Sequence, residues 1–425
     1  MLRRRTVLSI ILSVLFLESA SYYVWKAFEV SERLNYYSAM KKLVYVYHKK
    51  YRVVMPLPNQ NVVTYSPEFA DTFPTHDINN LGIGFFDDGL DKTHPKVALA
   101  IGDSMTRGVG SLNNLQNGWA ELTERKLVDT LDIINLGNSG TGQPQQFLFF
   151  DRLVDFLPHD LVILNFYSGG DFLDNTLSFD FNIFLSELPA TVDPSKIYNG
   201  VQQSFLYDPS YELLLKPVHS YMLCLLVRSL SRIFPNLFLP HVVQETRQAH
   251  SETANRSNHH PVSLLKEIGE RNIDSWQRIK VDKFYYLLTR YHYVEHRDEA
   301  DLLINHSASL INTFYQRIKD RNIPLVIVIH PAKEEIYLDA TKIDSKDIDV
   351  NYPREQLVSL LNPEIPILIL APLLKKMAQT SQENLYWPVD PHYTPAGHKA
   401  VSEHIAVFLE KVMRHEHPPE RHAVH

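Results

Sequence analysis

The chain has 425 residues, 44% of them hydrophobic and 11% aromatic, enough for a sizeable core in one large or two ordinary domains. Its 42 basic and 49 acidic side chains leave a formal charge of −7, which argues against nucleic acid as a partner because a basic face would be needed. Cys224 is the single cysteine, so internal disulfides and cysteine metal clusters are excluded.

Residues 1–5 carry Arg3, Arg4 and Arg5 and read as a cytoplasmic tail. The apolar run Val7 to Leu17 follows, the charged-then-apolar layout of an export signal. Ala20, Tyr22, Tyr23, Val24 and Trp25 extend the run beyond Glu18 towards the roughly 20 residues of a membrane span. Residues 6–28 are therefore expected to be an uncleaved transmembrane helix in the cytoplasmic (inner) membrane, with an aromatic belt at its outer end. Cleavage after Ser21 is the alternative. Either way the body of the chain is expected outside, periplasmic or extracellular. Residues 29–79 read as a membrane-proximal segment, with a helical start over 28–51 and an extended, proline-containing remainder.

Alternating strands and helices begin near residue 95. Residues 97–101 read as a strand, 117–130 as a helix, 131–137 as a strand, 145–157 as a helix and 160–167 as a strand. Residues 176–297 break the pattern and are too long for a loop, so they read as a helical or irregular cap insertion. Within it, the stretch around Met222 and Cys224 reads as a packed helix. Alternation resumes with a helix over 299–320, strands at 324–330 and 365–370 and a helix at 354–361. A last helix runs to residue 413, with Thr394 as its cap and Pro395 in its first turn. His398 and His404 on it read as partly exposed. The tail 415–425, with its four histidines, reads as frayed and not as a metal site.

This order implies parallel βαβ units, hence a three-layer α/β sandwich in which ligands bind beyond the C-terminal strand ends. Four polar turns fall at those ends. Gly102-Asp103-Ser104 follows the first strand and would present a serine hydroxyl at a helix N-terminus. The glycines of "NLGNSGTG", Gly140 among them, follow the second, and Gly169-Gly170-Asp171 with Asn175 follows the third. Asp390 and His392 stand two apart before the last helix, where a carboxylate can orient a histidine base. Taken singly, each turn also reads as a plain turn.

Together these blocks resemble the SGNH, or GDSL-type, hydrolase superfamily. "NNLGIGFFDD" and "VIVIHPAKEEIY" are similar to its bacterial membrane-anchored and periplasmic branch, which includes polysaccharide O-acetylation proteins. The resemblance covers residues 80–175 and 298–414 as the two parts of one core with a flavodoxin-like, mostly parallel sheet. It implies a serine esterase or O-acyltransferase working through Ser104, His392 and Asp390. Gly140, Gly170, Asp103 and Asn175 would lie around the oxyanion and the substrate. An acylated carbohydrate or other ester would be the substrate, with a membrane-bound acyltransferase as a possible partner. The mechanism needs no metal or cofactor. One departure stands out: Gly170 occupies the place of the family's third-block asparagine, which removes a side-chain oxyanion donor. The alternative that follows is a weak or inactive glycan-binding scaffold of the same fold.

Overall fold

The computed structural model describes residues 13, 16–21, 39–40, 45–66, 68–89, 96–176, 262–343 and 346–414. The chain falls into two compact units. The larger comprises residues 44–62, 71–195 and 257–425; the smaller, residues 1–43, 63–70 and 196–256, lies largely outside the described residues. Among the described residues no helix is long and apolar enough to cross a membrane. The expected anchor falls mostly outside them, as do the stretch around Met222 and Cys224 and the histidine tail.

Five short apolar runs form the central sheet: Val97–Ile101 (β1), Asp132–Asn135 (β2), Leu161–Tyr167 (β3), Leu325–His330 (β4) and Ile367–Ile369 (β5). The first four are buried along their whole length, which is the pattern of strands covered on both faces. Neighbouring strands pair in parallel in the order β2-β1-β3-β4-β5. That is the flavodoxin-like order, whose switch point lies between β1 and β3.

The helices that belong to the sheet are Ser104–Arg107 (α1), Trp119–Lys126 (α2), Gln143–Leu153 (α3), Asp171–Asp174 (α4), Arg297–Asp320 (α5), Lys333–Tyr337 (α6), Tyr352–Leu360 (α7), Ala371–Thr380 (α8) and Pro395–Met413 (α9). Alternation along the strands sorts the core into two layers. Leu99, Ile134, Leu164 and Ile327 face Phe150 of α3 and Ile311 and Phe314 of α5. Ala98, Ile133, Ile163 and Val328 face Trp119 of α2 and Val401, Ile405 and Leu409 of α9. Phe314 stacks on Phe147 at 3.9 Å between ring centroids and meets Phe150 edge-on, so it locks α5 to α3.

β2 is an edge strand, and its outward amides are met by carboxylates instead of a sixth strand. Ile133 N–H donates to Glu124 Oε2 (3.0 Å) and Asn135 N–H donates to Asp87 Oδ2 (2.9 Å). The edge is thereby satisfied and carries charge that discourages further pairing.

Three segments differ from the sequence reading. Residues Tyr45–His48, expected to be helical, pair antiparallel with Val53–Pro56. Alternating aromatic and β-branched side chains in "YVY" favour the extended form. In the stretch expected to be a helical or irregular insertion, Val262–Asp274 is a helix, but Gln277–Val281 pairs with Phe284–Leu288 as a hairpin. Asp282 makes its tight turn with φ +54°, and Val281, Phe284 and Tyr286 form a small apolar cluster of their own. The helix α8 was not anticipated, although Pro372 in its first turn is a start signal. Thr176, just after α4, packs against Gly269 of the helix Val262–Asp274.

Removing the Phe314 ring should leave a cavity between α3 and α5. Phe314→Ala is expected to destabilise the fold by about 3–5 kcal/mol, with Phe314→Leu well below that, as read from denaturant unfolding.

Candidate active site

β1 ends at Ile101, and the chain turns sharply into α1. A Cβ at Gly102 would lie 2.0 Å from Thr106 Oγ1, so only glycine fits the turn. Asp103 caps α1 by accepting from Met105 N–H (2.9 Å). Its carboxylate is therefore committed to the helix, and the structure places it as a cap rather than as a substrate ligand. Burial raises its pKa to about 6. Ser104, the first residue of α1, is half-buried at the C-terminal edge of the sheet.

The loop before α9 is closed on itself. Tyr386 and Tyr393 bridge in antiparallel fashion, and Trp387 N–H donates to His392 O (3.1 Å). Asp390, buried at the tip, accepts from both His392 N–H (2.9 Å) and His392 Nδ1 (2.6 Å). With that proton on Nδ1, Nε2 is the acceptor and faces Ser104 Oγ at 2.7 Å. The structure thus brings together Ser104, His392 and Asp390.

Several supports of this arrangement were not read from the sequence. Lys333 of α6 is 1% exposed, and its Nζ donates to the carbonyls of Trp387 (3.1 Å), Pro388 (3.0 Å), Val389 (3.3 Å) and Asp390 (3.1 Å). One ammonium group therefore fixes the loop that carries the acid–base pair. Trp387 Nε1 donates to Gly110 O (3.0 Å), tying the loop to the turn after α1. That turn is held from the other side by Asp71, which accepts from Gly110 N–H and Leu112 N–H, each at 2.6 Å. His398, expected to be partly exposed, is fully buried, and its Nε2 contacts Val109 O (3.1 Å). Burial lowers its pKa to about 4, so it is a neutral prop. Lys333 lies within a stretch that marks the family, but its partners are more than fifty positions away, and Asp71 has no local signature at all.

The electrostatics favour a basic imidazole. Burial alone pulls His392 down; the Asp390 charge, its hydrogen bond, and the charges of Asp103 and Asp71 outweigh that pull, so the net shift is upward. Asp71 itself is raised to about 6 by burial, against the two N–H groups that stabilise its anion.

The remaining turns are unequal. Gly140 is exposed with φ +69°, and a Cβ there would meet nothing within 4 Å, so this glycine faces open space. The third turn offers less than expected. Asn175 Oδ1 accepts from Gln143 N–H (2.7 Å), and its Nδ2 donates to Gln143 Oε1 (2.5 Å) and Ser307 Oγ (2.9 Å). Its side chain is spent on holding α4 to α3 and α5, not on a ligand. Ser168 Oγ contacts His330 O (3.1 Å), Ala332 N (3.1 Å) and the Glu335 carboxylate. Gly170 N–H donates within the turn to Tyr167 O (3.2 Å).

Residues 284–424 match the family model described as SGNH hydrolase-like domain, acetyltransferase AlgX. Among solved structures, the acetyl xylan esterase AlAXEase is 13% identical, with 73% of this chain and 97% of that one covered at a TM-score of 0.32. A lipase/acylhydrolase from Enterococcus faecalis is 10% identical, covering 75% and 96% at 0.28. The salicylyl-acyltransferase SsfX3 from a tetracycline biosynthetic pathway is 14% identical, covering 77% and 57% at 0.27. No curated protein matches the chain. Residues 284–424 are thus similar to an SGNH hydrolase-like domain of acetyltransferase type.

Two outcomes follow from the geometry. His392 must be neutral to accept a proton, so the rate should fall as pH drops through a pKa raised above 6.5. Asp71→Asn removes one of the anions that raise it and is expected to move the acid limb of kcat/KM on an aryl acetate to lower pH. Lys333→Met should loosen the loop and lower kcat about 10²-fold, the cost typical of a misplaced catalytic group, with KM little changed and the circular dichroism of the native fold retained.

Proposed function

We propose that this chain is a membrane-anchored serine esterase or O-acyltransferase that acts on ester groups, O-acetyl above all, of an exported glycan. The observation that carries the reading is the unbroken chain of contacts from Asp390 Oδ1 through His392 to Ser104 Oγ, at 2.6 Å and 2.7 Å. The match to an acetyltransferase-type SGNH domain supports the acetyl group. The run of arginines and apolar residues at the N-terminus supports the anchor and an exterior location.

In this reading Ser104 Oγ attacks the ester carbonyl carbon while His392 Nε2 takes the hydroxyl proton. The oxyanion is met by the N–H groups of Ser104 and Gly140. Collapse breaks the ester C–O bond, and the departing alkoxide takes the proton from His392. Ser104 then holds the acyl group. Water or a sugar hydroxyl, deprotonated by His392, attacks that ester, and Ser104 leaves with the proton returned. Asp390 stays ionised throughout, orienting His392 and stabilising its imidazolium form. A membrane-bound acyltransferase would supply the acyl group if transfer is the outgoing step.

Gly170 favours a second reading, since the family's asparagine donor is missing and loss of one such donor costs about 10²–10³ in turnover. On that reading the domain binds glycan with little or no catalysis.

Chemistry separates the two. The full chain should hydrolyse an activated acetyl ester and be labelled at Ser104 by a fluorophosphonate, and Ser104→Ala should lose about 10⁴-fold in rate. Mass analysis of surface glycans from cells carrying Ser104→Ala should show a change of one acyl mass. A protein that neither turns over nor takes the label is the scaffold, not the enzyme.

A further inference from the structure

We propose that Asp87, Asp88 and Glu121 form a divalent-cation site on the outer edge of β2, fitted to calcium. The site lies in the larger unit and shares no residue with Ser104, His392 or Asp390. One oxygen from each of the three carboxylates lies within 4.8 Å of the others. Three carboxylate oxygens this close can share one divalent ion. A site with two buried acids and one exposed one suits calcium, which takes about 6–8 oxygens in flexible geometry, better than magnesium, which demands a near-ideal octahedron. The donors are all oxygen, which selects a hard cation over zinc.

Glu121 sets this cluster apart from ordinary surface acids. It is 2% exposed, and its Oε1 has no hydrogen-bond partner among the described residues. Its neighbours have structural duties that account for them. Asp87 accepts from Asn135 N–H on one oxygen and from Gly89 N–H (2.9 Å) on the other. Glu124 accepts from Ile133 N–H. Glu121 has no such task among the described residues, and its carboxylate lies with those of the two aspartates. Asp88 is exposed and leaves one side open for an ion to enter and keep its waters.

The charge balance points the same way. Asp87, Asp88, Glu121, Glu124 and Asp132 face one another across α2, β2 and the loop at residues 86–89. Arg125 is the cation that opposes Glu121, and its guanidinium donates to the carbonyls of Gln116 and Leu115. Burial, reinforced by the neighbouring carboxylates, raises Asp87 to about 8 and Glu124 to about 9 and holds Glu121 well above the usual range. A bound divalent cation would offset the mutual repulsion of carboxylates held this close, and it binds them in their deprotonated form.

The test is thermal unfolding and calorimetric titration of the chelator-stripped full chain at pH 8. Calcium chloride at about 100-fold its Kd is expected to raise the Tm by roughly 3–4 °C. Glu121→Gln should abolish the calcium shift, while its metal-free Tm stays close to that of the wild type, because Oε1 makes no hydrogen bond to the described residues. Asp88→Asn, at an exposed position, should weaken binding without unfolding the chain and decides the matter if Glu121→Gln fails to fold. No calcium heat and no Tm shift in the wild type, or an undiminished shift in either variant, overturns the site. An equal response to magnesium chloride overturns the choice of calcium.

Discussion

An ammonium group dissolved in four carbonyl dipoles holds the reactive centre together. Removing a charge from water costs several kcal/mol after relaxation, so Lys333 is tolerable only where its solvation is replaced in full. All four replacements come from consecutive residues, Trp387 to Asp390, which makes the lysine and the loop mutually dependent. The loop has little freedom left once that cage forms, and Asp390 and His392 inherit its rigidity. Ser104 is brought to them from 288 positions away by the sheet, because β1 and α9 reach the same edge.

Around this point the protein has gathered buried acids. Asp71, Asp103, Asp171 and Asp174 are all raised by burial, and two of them, Asp71 and Asp103, act on His392. Their effect on the imidazole is the opposite of its own desolvation. Burial without such anions makes a poor base, as His330 and His398 show: it takes them to about 3 and about 4. Half-buried His392 differs from these two fully buried histidines through the anions next to it.

What could be read from the sequence followed local rules. Apolar runs without interruption marked the strands, and the parallel order made their ends the place to look. Gly-Asp-Ser and Asp-Pro-His each carry their geometry within a few residues, so both were visible. Asn175 was misjudged because its chemistry suits an oxyanion, while its position between Gln143 and Ser307 exists only in three dimensions. Lys333 and Asp71 act on backbone that arrives from elsewhere in the chain, so nothing near them in sequence declares the role. The hairpin at 277–288 was hidden among aromatic residues whose partners lie across its own turn.

The contact between Thr176 and Gly269 has a longer reach than its size suggests. Thr176 follows α4, and Gly269 sits in a helix that packs on both α4 and α5, so parts of the chain distant in sequence are pinned together beside the core. A Cβ at Gly269 would lie 2.1 Å from Thr176 Oγ1. The fastening therefore depends on a residue with no side chain, and any substitution there would prise the helix off α4.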